Sequence, residues 1–115
     1  MKAPGVAFYV ARDGSLLLGF GAIAVRGTDE AGSEWGELKR MYVAPAARGR
    51  RIGRLILDRL VAHAEAQGLA ALRLETGDKQ IEALSLYRSA GFVNRGPFAD
   101  YPENQSSIFM EMRIA

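Results

Sequence analysis

The chain of 115 residues has no cysteine and only one histidine, His63. The first absence excludes disulfides, thiolate metal sites and a cysteine nucleophile; the second excludes a His-rich metal centre. No apolar run is long enough to cross a bilayer. The longest, Leu16 to Val25, is interrupted by Gly19 and Gly21 and falls short of the ~20 residues a spanning helix needs. No N-terminal signal pattern is visible, since Met1-Lys2-Ala3-Pro4-Gly5 leads directly into strand-like sequence. A soluble cytoplasmic protein without a membrane partner is expected. The net charge is only +2, and the basic excess is concentrated between Arg48 and Arg54, with Arg59 further on. A nucleic-acid binder would show a broader basic stripe, so a compact anionic ligand is the expectation and nucleic acid is not.

What is present suits one small domain spanning residues 1–115. Hydrophobic residues make up 49% of the chain, enough for a single core. Val6 to Ala11 reads as a strand, and Asp13-Gly14 signals a hairpin to a partner strand from Leu16 to Val25. Gly19 and Gly21 inside that partner mark a bulge or a close approach. Residues 26–36 read as a loop, and a third strand covers about Gly36 to Val43, closed by Pro45. A helix from about Arg51 carries Ile56, Leu60 and Ala64 at a spacing of four and ends near Gly68. Leu69 to Thr76 reads as a buried strand. Asp78 can then cap a second helix, which has Ala83, Leu86, Tyr87 and Ala90 on one face and stops at Gly91. A short strand from Phe92, a loop from Gly96 to Gln105 and a closing strand from Ser107 to Ile114 complete the chain. The order β-β-β-α-β-α-β-β implies a mixed α+β fold in which a central β-α-β crossover supplies one parallel strand pair.

The junction Arg48-Gly49-Arg50-Arg51-Ile52-Gly53 lies between the third strand and the long helix. Free N–H groups at a helix N-terminus, with about half a positive charge of macrodipole, form an anion cradle. Arginines there add charge-assisted hydrogen bonds suited to phosphate. A phosphate-bearing ligand is therefore expected.

Three segments occur together in order: Pro45-x-x-Arg48-Gly49-x-x-Ile52-Gly53, Leu74-Glu75-Thr76, and Leu84-Ser85-Leu86-Tyr87-Arg88-Ser89-Ala90-Gly91-Phe92. Their combination resembles the GNAT superfamily of acyl-CoA-dependent N-acetyltransferases, closely over residues 37–92. The resemblance implies a GNAT-like three-layer fold with a mixed, mostly antiparallel sheet and two helices. It further implies acetyl transfer from the cosubstrate acetyl-CoA to a primary amine of a small molecule or peptide. The pyrophosphate cradle maps to Arg48, Gly49, Arg50, Arg51, Ile52, Gly53 and Arg54. The pantetheine arm maps to the backbone of Met41, Tyr42 and Val43, and Gln80 matches an asparagine that bonds the same arm. Tyr87 matches the tyrosine that protonates the leaving thiolate, and Glu37 and Glu75 match alternative bases. Two departures stand out. Arg51 replaces a glycine, and the strand and helices that usually precede the first hairpin are absent from this sequence. The missing elements imply a pocket wall supplied by a partner subunit (a homodimer), an open pocket, or a shortened product. A non-catalytic acyl-CoA-binding module is the alternative reading.

The chemistry sets a demand on the base. A lysine-like amine at pH 7 is neutral in only about one molecule in 2,500, roughly 4–5 kcal/mol uphill. Glu37, Glu75 or a water chain could take its proton. Glu37 could equally be a solvated strand-end residue, and Glu75 an ion-pair partner of Arg73 or Lys39. Trp35 and the Phe98–Tyr101 loop are candidates to line an acceptor pocket, and His63 is expected to pack near the C-terminus of the long helix.

Overall fold

A computed structural model describes residues 6–28, 31–47, 51–98 and 106–114. Among the described residues, six strands form one sheet in the order β1-β2-β3-β4-β6-β5. They are β1 (Val6–Asp13), β2 (Leu16–Thr28), β3 (Glu34–Val43), β4 (Ala71–Gly77), β5 (Val93–Arg95) and β6 (Ser107–Arg113). Two helices, α1 (Ile52–Ala66) and α2 (Ile81–Ala90), connect β3 to β4 and β4 to β5. The expected α+β class and element order are thus observed. Only β3 and β4 are parallel; every other neighbouring pair is antiparallel.

Several boundaries differ from the sequence reading. The supposed loop over 26–36 is shorter, because the β2–β3 ladder continues through Gly27↔Trp35 to Thr28↔Glu34 beyond a bulge. Leu69 and Ala70 precede β4, although both are buried. In the first hairpin Asp13 pairs with Leu16, so the turn residues are Gly14 and Ser15. Gly14 has φ 61, the left-handed first position that such tight hairpins favour.

Both helices cover the same face of the sheet. Ile52, Ile56, Leu57, Leu60 and Ala64 of α1 join Leu84 and Tyr87 of α2, with Leu72, Leu74 and Met110 from the strands, in one buried cluster. Two glycines of β2 let α1 sit close. A Cβ on Gly21 would lie 2.8 Å from Ile56 Cγ2 and 3.0 Å from Leu60 Cδ1, and one on Gly19 would lie 2.5 Å from the Tyr42 carbonyl oxygen. Both the bulge and the close approach expected there are present, since the β2–β3 register shifts between Phe20 and Ala22. A second, smaller cluster of Trp35, Ala71, Phe98 and Phe109 is separate from this core.

The parallel ladder is short. It runs only from Trp35↔Ala71 to Glu37↔Arg73, yet β3 continues to Val43 and β4 to Gly77. Beyond Glu37 and Arg73 the two strands part, each held by its other neighbour. β3 stays on β2, and β4 stays on β6 along its whole length. The result is a fork in the middle of the sheet.

The β2 glycines provide a direct test. Gly19→Ala should cost about 1–3 kcal/mol or more in urea denaturation, because a backbone carbonyl cannot swing aside as a side chain can. Gly96→Ala, with nothing within 4 Å of its new Cβ, should stay within about 0.5 kcal/mol of the parent.

Candidate active site

A cleft of about 870 Å³ opens where β3, the start of α1 and α2 meet. Met41, Tyr42 and Val43 line it from the β3 arm of the fork; Arg51, Ile52, Gly53 and Arg54 line it from the first turn of α1. Gln80 and Tyr87 line the opposite wall. Every described residue of the expected cofactor set therefore borders one space, while Arg48, Gly49 and Arg50 lie outside the described residues. Tyr42 stacks on Phe20 at 5.3 Å between ring centroids, and Phe20 on Phe8 at 5.4 Å. Phe20 lies between the two glycines that face α1, so these rings occupy the other face of the sheet. The Ala44 N–H donates to Leu18 O at 2.8 Å, and Tyr42 opposite Phe20 is in the same phase of the ladder. Its main chain therefore faces β2, and it is Val43 whose N–H and C=O face away from β2, toward the cleft.

α1 begins without a side-chain cap. Its N-cap Arg51 sits at φ 62, ψ 24, and it is the only described non-glycine residue with positive φ. That conformation costs an L-residue roughly 1–2 kcal/mol, which explains why a glycine would suit this position. Burial of Ile52, Ile56, Leu57 and Leu60 contributes about 1.5–3 kcal/mol for each side chain and outweighs the strain. The first helical bond follows at once, from Leu55 N–H to the Arg51 carbonyl at 3.1 Å. A Cβ on Gly53 would meet Leu86 Cδ2 at 3.2 Å, so the end of that side chain would have to give by a few tenths of an ångström. Arg54 is oriented by Asp58 at 2.9 Å.

Tyr87 owes its place to the end of α2. The Gly91 N–H donates to Arg88 O at 3.1 Å, and the Phe92 N–H donates to Tyr87 O at 3.0 Å. Those two bonds, with Gly91 at φ 110, form a Schellman motif. Its usual apolar contact is here Phe92 against the Tyr87 ring, at 5.8 Å between centroids. The spacing Tyr-x-x-x-Gly-Phe is thus a device that clamps the tyrosine. Burial pushes the Tyr87 hydroxyl above its ordinary value of 10.0, so it remains a proton donor throughout the neutral range. The start of α2 departs from expectation: Gln80, and not Asp78, is the N-cap, and it makes no side-chain cap bond. The Asp78 N–H instead donates to Ser106 O at 2.8 Å, which holds the turn against the strand side.

The two candidate carboxylates project from the face opposite the helices. Glu37 occupies the last parallel pair before the fork. It is only 1% exposed, so it is not a solvated strand-end residue. Arg26 Nη1 lies 3.4 Å from its Oε1 and Lys39 Nζ lies 3.8 Å from its Oε2. Glu75, on the other arm, accepts a hydrogen bond from Ser107 Oγ at 2.8 Å. The ion pair envisaged between Arg73 and Glu75 forms with Glu111 instead, at 2.8 Å, and Arg95 joins it at 2.9 Å. Burial pushes the Glu111 carboxyl up, but Arg73 and Arg95 more than offset this and hold it below its usual range. Of the residues expected to line an acceptor pocket, Trp35 and Phe98 are described, while residues 99–101 lie outside the described residues. Trp35 and Phe98 pack edge to face at 5.4 Å, with Phe98 on Phe109 at 5.5 Å. His63 packs as expected near the end of α1, its Nδ1 3.1 Å from Tyr9 Oη.

Sequence reasoning missed Lys79 and Ser89, which also line the cleft, and Arg26, which reaches Glu37 across the β2–β3 ladder. The Asp78-Lys79-Gln80 turn was a usable signal for Lys79. Nothing local in the sequence joins Arg26 to Glu37.

Known proteins share this arrangement. Residues 4–94 match the family described as "Acetyltransferase (GNAT) domain". The IAA acetyltransferase of Azospirillum brasilense is 48% identical over 111 residues, covering 96% of this chain and 70% of that protein. The structure of a Klebsiella pneumoniae protein described as a "putative acyl-CoA N-acyltransferase" superposes with a TM-score of 0.85 at 36% identity, covering 95% of this chain and 72% of that one. The PaiA N-acetyltransferase of Thermoplasma acidophilum, in complex with coenzyme A, shares the fold at a TM-score of 0.78 and 22% identity, over 96% of this chain and 62% of that one.

Position 51 separates backbone strain from side-chain contacts. Arg51→Gly should raise unfolding stability by up to about 1 kcal/mol, whereas Arg51→Val should lower it, since a β-branched residue resists positive φ. Equal midpoints in urea for the two variants would show that the left-handed N-cap is not strained.

Proposed function

Because this chain belongs to the GNAT family of N-acetyltransferases, we propose that it moves an acetyl group from acetyl-CoA directly to a primary amine of a small molecule or peptide. The observation that carries this reading is the convergence of the β3 arm, the N-terminus of α1 and Tyr87 on one cleft. The N–H groups of the first turn of α1 suit a pyrophosphate, with Arg51, Arg54 and Lys79 at the rim of the same space. The pantetheine arm is an extended chain bearing amides, and it would add to the β3 arm as an extra strand does to a sheet edge. That places the thioester at the fork.

The amine approaches the thioester from the face that carries Glu37 and Glu75. Its nitrogen attacks the carbonyl carbon, the C–S bond breaks, and the sulfur leaves as thiolate. Tyr87, which burial keeps protonated, gives that sulfur its proton as the C–S bond breaks. The proton lost by the amine goes to one of the two carboxylates, with Glu37 nearer the vertex of the fork. No covalent enzyme intermediate is required, which suits a chain without cysteine.

Release of free thiol from acetyl-CoA, followed across a panel of amines, tests the reading. Tyr87→Phe should lower kcat about a hundredfold or more while the CoA Kd measured by calorimetry stays the same. Unchanged turnover would remove Tyr87 from the mechanism. CoA binding without thiol release from any amine would instead leave an acyl-CoA-binding module.

A further inference from the structure

The charges on the acceptor side of the fork are arranged in a way that the acetyl-transfer reading does not require. Glu37 sits at the vertex with two cations, Arg26 and Lys39, whose side chains are 34% and 38% exposed. Directly across the last parallel pair stands Arg73, which lies over the Trp35 ring at 4.4 Å and shares Glu111 with Arg95. Each of these two carboxylates is therefore met by two cations. Counting Glu75 as well, four cations and three carboxylates among the described residues lie on this side of the fork.

An alkylamine or a polyamine reaches such a site as a cation, and like charges at this range repel. An acceptor that also carries an anionic group meets the opposite situation. Arg26 and Lys39 already point toward one carboxylate and keep exposed surface with which to meet another. Guanidinium suits a carboxylate through parallel N–H donors, and ammonium suits it as a mobile point charge. Lys39 lies two residues past the vertex on the same face as Glu37, and so stands on the lip of the fork itself.

The geometry points to a carboxylate-bearing primary amine, of which a free α-amino acid is the simplest case, as the acceptor. Its carboxylate is received by Arg26 and Lys39 while its amine enters the fork beside Glu37. This inference rests on the acetyl-transfer reading for the direction of attack, but its charge preference can be measured independently.

Three related ligands are compared on the CoA-loaded protein: an α-amino acid, its α-carboxamide, and the amine that results from its decarboxylation. Thiol release from acetyl-CoA and calorimetric binding are read in parallel. The amino acid should be favoured over the other two by about ten- to a hundredfold in kcat/KM and in Kd, the range for a hydrogen bond to a charged group. Arg26→Gln and Lys39→Gln should each bring the ratio of amino acid to carboxamide toward one, mainly through KM, with CoA affinity unaltered. Arg12→Gln removes the same charge at the opposite end of the β1–β2 ladder from Arg26 and should leave the ratio intact. Equal binding of the three ligands, a preference for the amine, or a uniform loss across all ligands in the Arg26 and Lys39 variants overturns the proposal. A preserved binding preference without thiol release overturns only the catalytic reading.

Discussion

The early end of the β3–β4 ladder is the constraint on which the rest of the molecule depends. Three residues on each strand pair in parallel, and then the strands separate. A parallel pairing of that length is weak in itself. What fixes the fork is that each arm has a stronger commitment elsewhere. β4 pairs with β6 over all seven of its residues, and β3 follows β2 through a bulge to the end. The bulge shifts side-chain parity along β3, so Leu38 before it and Met41 and Val43 after it belong to the helix side. With β4 gone from this edge, the N–H and C=O groups of the β3 arm that do not bond to β2 are left toward the cleft.

The helices are then set against the fork by close contacts. Gly19 and Gly21 remove the side chains that would hold α1 away from β2, and Ile56 and Leu60 fill the space. α1 can consequently begin at the mouth of the cleft, even though its first residue has to adopt a left-handed backbone. On the other wall, Gly91 allows α2 to end abruptly, and the returning Phe92 presses on Tyr87. The two devices are physically alike: a local backbone conformation that is costly for most residues is held by apolar packing several times larger. In both cases the packing positions a group the cleft uses, an N-terminal turn of N–H donors or a phenol.

Much of this was legible in the sequence because it depends on short-range rules. Helix period, the Gly91-Phe92 stop, the two glycines of β2 and the arginine–glycine junction each carry their meaning within a few residues. The element order followed from them, while the residues expected around the cleft came from the resemblance to the GNAT superfamily. What was not legible depends on pairing across the sheet. Glu37 read as a candidate for a solvated strand end, but the β2–β3 register brings Arg26 beside it and buries it. Glu75 had two plausible partners, Arg73 and Lys39, but the β4–β6 register sets Arg73 opposite Glu111, and the ion pair forms there. Asp78 had the chemistry of a cap, yet its backbone was engaged by Ser106, a residue distant in sequence.

The central claim is that the separated β3 arm offers its main chain to the extended arm of CoA. Amide hydrogen exchange over residues 38–43, measured with and without CoA at saturating concentration, addresses it most directly. The amides that face β4 should exchange readily in the free protein and become protected when CoA binds. Amides already slow in the free protein, or no change over 38–43 while CoA is demonstrably bound, would contradict the account.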